Sequence, residues 1–146
     1  MVFFAARCSA GSPLNIFPAG LHAGWHFLVQ AVSDEDEQRA IDLIDEASGC
    51  LAIGDLEGAA ALFREATALA PGNFDAWHGL GMVLLRNDDL KGALGAALMA
   101  TDLRPNDLLA WTSLSQIHVR MGNIAEAEAA KANARILSLG GRVKRD

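Results

Sequence analysis

The chain has 146 residues, 51% of them hydrophobic and 21% charged, a one-domain length with ample apolar material for a packed core. Its net charge of −6 provides no basic stripe for releasing phosphate counterions, which argues against nucleic acid, and no run reaches the roughly 18 continuous apolar residues of a membrane span. Two cysteines, Cys8 and Cys50, supply neither a disulfide framework nor a CxxC motif, so a reducing, cytoplasmic setting is expected.

Residues 1–33 read as an apolar N-terminal segment. Arg7 follows the apolar Val2 to Ala6, the reverse of the order in a secretory signal. Gly11, Pro13, Pro18, Gly20 and Gly24 break the first part into turns, whereas Leu21, Trp25, Leu28 and Val32 fall on one helical stripe. That stripe predicts a short extra helix over residues 19–32, acting as a cap on the first helical pair or as the arm of a homodimer, with disorder as the alternative. His22 and His26 have zinc-like helical spacing, but no Cys, Asp or Glu stands nearby to complete a tetrahedral site, so no metal is expected.

Ser33 followed by Asp34, Glu35, Asp36 and Glu37 reads as an N-cap with acids in the first turn, where the helix dipole favours them. From Ser33 to Cys50 there are seven acids against Arg39 alone, a local balance equal to the net charge of the whole chain, −6. Downstream, apolar spacing and turn residues predict six helices near 34–50, 55–69, 74–87, 89–103, 108–121 and 123–138. The breaks fall at Gly54-Asp55, Asn87-Asp88-Asp89 and Gly122-Asn123, residues that tolerate left-handed or capping conformations. Asn73 is placed to cap the third helix, and the second helix of each pair is rich in alanine, which lets helices approach closely.

Pro71 and Pro105 lie 34 residues apart, and the residues before them recur in the same order. Units of that period span 40–73, 74–107 and 108–141, followed by a basic tail at 142–146. Trp77 and Trp111 recur at equivalent places, as do Leu80 and Leu114, the alanines 59, 93 and 127, and the alanines 66, 100 and 134. The second unit reads Trp77-x2-Leu80-Gly81, then Ala93, then Pro105, and the first contributes Ala59-x3-Phe63 and Pro71. In these motifs the chain resembles the tetratricopeptide repeat family, over roughly residues 36–140. Departures are Leu43, Glu46, Ala47 and Cys50 in the first unit, and Ser115, His118, Lys131 and Leu139 in the third.

The resemblance implies an all-α, right-handed superhelix of three helix-turn-helix repeats, with the N-terminal segment outside it. It also implies a concave surface lined by the first helix of each pair. The lining residues singled out there are Ile44 and Ser48; His78, Met82, Leu85 and Arg86; and Leu109, Thr112, Gln116 and Arg120. His78, Thr112 and Gln116 can hydrogen-bond an extended backbone, while Arg86 and Arg120 can meet a carboxylate. Some family members clamp the C-terminal carboxylate of chaperone tails with Lys and Asn; here Ile44, Ser48, Gly79, Leu109 and Ser113 stand in those places, without a positive charge. Trp77, Trp111, His118 and Cys50 are expected in the core. No GxSxG, HExxH or phosphate-cradling loop occurs, so neither catalysis nor a cofactor is expected. The expected function is a protein–protein interaction module that takes a peptide or helix in its groove. The alternatives are a dimeric, secretion-type chaperone for apolar segments, and a structural self-assembly module.

Overall fold

The computed structural model describes residues 32–144, and the expected helix over 19–32 and the dimer arm lie outside the described residues. Six helices follow one another: α1 (Asp34–Ala52), α2 (Leu56–Leu69), α3 (Phe74–Arg86), α4 (Leu90–Leu103), α5 (Leu108–Met121) and α6 (Ile124–Ser138). Each lies within two residues of the span expected from the sequence.

The helix starts are set by short polar side chains. Ser33 accepts from the Asp36 amide at 3.1 Å and Asn73 from the Ala76 amide at 3.2 Å, as expected. Asp55 and Asp89 cap α2 and α4 by accepting from Gly58 and Gly92, and Asp107 accepts from two amides at the start of α5. α6 lacks a side-chain cap: its Asn123 instead places its amide nitrogen 3.4 Å from His118 Nδ1.

Within each hairpin the chain reverses through one left-handed residue, Gly54 (φ 83°), Asp88 (φ 62°) and Gly122 (φ 81°), spaced by the repeat period. Asp can occupy this conformation at modest cost, which explains why the middle turn carries no glycine.

α1 packs on α2, α3 on α4 and α5 on α6; α2 then packs on α3, and α4 on α5, so the array is an all-α helical-repeat solenoid. The first helices of successive hairpins also touch, α1 with α3 and α3 with α5. A core cluster runs from Ala47 and Phe63 through Leu80, Val83 and Leu84 to Leu114, Ile117 and Ala130, and thus through all three hairpins. Repeated alanines keep the helices close: Ala59, Ala66, Ala93, Ala100 and Ala127 are buried.

Trp77 and Trp111 pack against this core while remaining partly exposed, and each indole N–H finds a partner. Trp77 Nε1 donates to the Pro71 carbonyl at 2.8 Å and Trp111 Nε1 to the Pro105 carbonyl at 2.7 Å. The indole therefore fixes the loop that joins one hairpin to the next. At the place of Gly81 the third hairpin has Ser115, whose hydroxyl donates to the Ala127 carbonyl of α6 at 2.9 Å. His118 is buried, as expected, whereas Cys50 is half-buried against the core rather than enclosed. No described helix is long and apolar enough to cross a membrane.

Candidate functional site

The first helices present side chains on the face away from α2, α4 and α6, and two shallow depressions lie between them. One, of about 300 Å³, is lined by Ser48, Leu51, Ala52, Met82 and Arg86 at the contact of α1 with α3. The other, of about 350 Å³, is lined by Leu85, Ser115, Gln116, Val119 and Arg120 at the contact of α3 with α5. Both are mostly apolar with an arginine at one side.

Six of the ten residues singled out from the sequence line these depressions: Ser48, Met82 and Arg86 in the first, and Leu85, Gln116 and Arg120 in the second. Leu85 is buried and forms a floor, while Gln116 and Arg86 are exposed. Met82 also ties α3 to α5, its sulfur accepting from Ser113 Oγ at 3.4 Å. The other four lie apart. Ile44 is half-buried and packs against two core clusters. His78 stacks on the Phe74 ring, with centroids 5.5 Å apart and planes 7° from parallel. Arg104 lies over that same ring at 4.5 Å, so His78 belongs to a packing group at the start of α3. Leu109 is 60% exposed outside both depressions. Thr112 donates its hydroxyl to the Leu108 carbonyl of its own helix at 2.8 Å, as Ser48 does to Ile44 at 2.9 Å.

The two arginines differ in their electrostatic setting. Arg120 makes an ion pair with Asp88 of the α3–α4 turn at 2.7 Å, both side chains well exposed. Such a pair is worth about 0.2–1 kcal/mol and yields to a better-placed carboxylate. Arg86 has no acidic partner among the described residues. Leu51, Ala52, Ser115 and Val119 complete the lining beside those six, and the signal for Ser115 was its hydroxyl standing where the second hairpin has Gly81. Among the described residues, no group of three or more His, Cys, Asp or Glu side chains is placed to hold a metal ion.

Comparison with known proteins gives the fold a family. The sequence profile described as tetratricopeptide repeat matches residues 44–107. No curated protein matches the sequence. Among solved structures, the second tetratricopeptide domain of Spaghetti (RPAP3), bound to the HSP90 peptide SRMEEVD, superposes with a TM-score of 0.68 at 19% identity, covering 70% of this chain and 95% of that one. A chain of the CopN–Scc3 complex gives a TM-score of 0.66 at 22% identity, covering 73% of this chain and 61% of that one. MamA gives 0.68 at 20% identity, covering 77% of this chain and 66% of that one. The repeated Trp, Ala and Pro places, the hairpins stacked at a 34-residue period and the matched segment agree, and residues 44–107 carry tetratricopeptide repeats.

Proposed function

We propose that this protein is a non-catalytic interaction module that takes an extended or helical peptide segment across the two depressions of its first-helix face. The observation that carries this reading is the adjacency of two apolar depressions, each with one arginine, on a single face of a repeat array. Tetratricopeptide domains of the same fold hold an HSP90 peptide, which supports peptide capture as the mode. The peptide taken here differs in chemistry. Where clamp-type members carry Lys and Asn, this chain has half-buried Ile44, Ser48, Gly79 close to Phe63, exposed Leu109, and Ser113 bonded to Met82. A segment with apolar anchors and one carboxylate directed at Arg86 fits better than an acidic chain terminus. The absence of a paired-cysteine pattern favours a reducing, cytoplasmic setting.

Anisotropy titration against a library of labelled apolar and mixed peptides tests the reading. Met82→Glu and Arg86→Glu are each expected to weaken capture at least about tenfold, on the scale of a buried anchor or a charge contact. Leu98→Glu on the outer face of α4, where Leu98 is 46% exposed, serves as the control and leaves affinity unchanged. Equal losses for all three variants, or none for any, would remove the first-helix face from the function.

A further inference from the structure

The two ends of the described array depart from its interior at the positions that join one hairpin to the next. At the α2–α3 junction Ala76, Leu80 and Val83 are buried, and at the α4–α5 junction their repeat equivalents Ala110, Leu114 and Ile117 are buried too. In α1 the corresponding residues are Asp42, Glu46 and Gly49, and Asp45 corresponds to Gly79. These three acids are exposed. On the other side of the same junctions Phe63 and Thr67 of α2 are buried, as are Ala97 and Thr101 of α4. Their equivalents in α6 are Lys131 and Arg135, both exposed, lining a depression of about 520 Å³ together with Glu128, Ala132 and Ile136. One end of the array thus carries acids at the junction places, and the other carries the cations Lys131 and Arg135 there, with Glu128 beside them at the place of Ala60.

We propose that copies of this chain associate head to tail, with α1 of one copy docking on α6 of the next in the register of the internal junctions. That register is fixed by observed contacts. A Cβ on Gly79 would meet the Phe63 ring, and Ala76 clusters with Ala66 and Ala70, so residues earlier in α3 meet residues later in α2. Transferred to the ends, Asp45 takes the place of Gly79 and Lys131 that of Phe63, bringing carboxylate and ammonium together. One turn away in opposite directions, Asp42 and Arg135 fall towards each other by the same antiparallel logic. Lys131 has only a loose 3.8 Å contact with Glu128 of its own helix, so little is lost when it turns to a partner. The contact joins two different surfaces by the array's own repeat step, so each copy added leaves a free end and the assembly grows with concentration. It rests on the repeat register and on charge, independently of peptide capture on the first-helix face.

Sedimentation velocity of the full chain tests it at about 50 mM and about 500 mM NaCl, where the Debye length falls from roughly 14 Å to roughly 4 Å. The expected result is a mean mass that rises with protein concentration at low salt and collapses to monomer at high salt. Asp45→Lys and Lys131→Asp each place like charges at the junction and are expected to weaken association about a hundredfold. Mixing the two variants, or combining both changes in one chain, restores opposite charges and is expected to restore growth. Far-UV circular dichroism checks that each variant keeps its helices. A monomer at low salt, a dimer of fixed mass, or single variants that associate like the parent would each overturn the proposal, as would failure of the mixture to recover.

Discussion

Gly79 lies in close packing against Phe63 at the first inter-hairpin junction. A methyl group there would run into the ring of Phe63, which is 2% exposed and has no free volume into which to swing. Gly79→Ala is therefore expected to destabilise the fold by about 1–3 kcal/mol despite alanine's better helix propensity. A urea unfolding midpoint equal to the parent's would show that the ring can yield. The same scale shows where sequence reading succeeds and stops. The recurrence of Trp77 and Trp111, and of Pro71 and Pro105, was visible, but the bond that joins them, from each indole N–H to a proline carbonyl, is a matter of geometry. His78 was placed on the groove face by its helical position, and its stacking on Phe74 arises from the adjacent turn of α3 together with Arg104 from the end of α4. Ser48 and Thr112 occupy groove-side positions, yet each hydroxyl turns back to the carbonyl four residues earlier, a rotamer choice that no spacing rule encodes.

Among the elements, α4 contains its own controlled comparison. Gly95 is exposed with nothing within 4 Å of an added Cβ, so Gly95→Ala is expected to stabilise by about 0.5–1 kcal/mol through helix propensity and reduced unfolded-state entropy. Gly92 lies three residues after the Asp89 cap, and a Cβ there would stand 2.7 Å from the Asp89 carboxylate oxygen and 3.0 Å from Leu84. Gly92→Ala must displace the cap, whose loss costs about 1 kcal/mol, so its net gain is expected to vanish. Thermal unfolding of the two variants separates these cases, and equal gains would show that the cap contributes nothing. Helix starts and turns were legible because each needs a particular small polar residue or glycine at one place, as Ser33, Asn73 and the left-handed Gly54, Asp88 and Gly122 illustrate. The uncapped start of α6 was not, since Asn123 is a good capping residue that turns to His118 instead.

For the whole array, the core cluster passes through every hairpin, while the most completely buried large side chains, Val83 and Ile117, sit in α3 and α5. Each inner helix is covered from two sides; α1 and α6 lack a neighbouring hairpin among the described residues. Native-state hydrogen exchange is therefore expected to be slowest in α3 and α4 and fastest in α1 and α6, with opening free energies graded towards the ends. Uniform protection from α1 to α6 would mean that the array opens as one indivisible unit. The family and the helical architecture were readable because a 34-residue recurrence constrains many places at once; the depressions were only partly so, because they depend on how adjacent first helices lean together. The indole bonds carry one more consequence. Trp77 bridges the first and second hairpins and Trp111 the second and third, so each is a built-in fluorophore for a different seam. With Trp25 and one of the pair changed to phenylalanine, the emission of the remaining indole tells which seam parts first under denaturant.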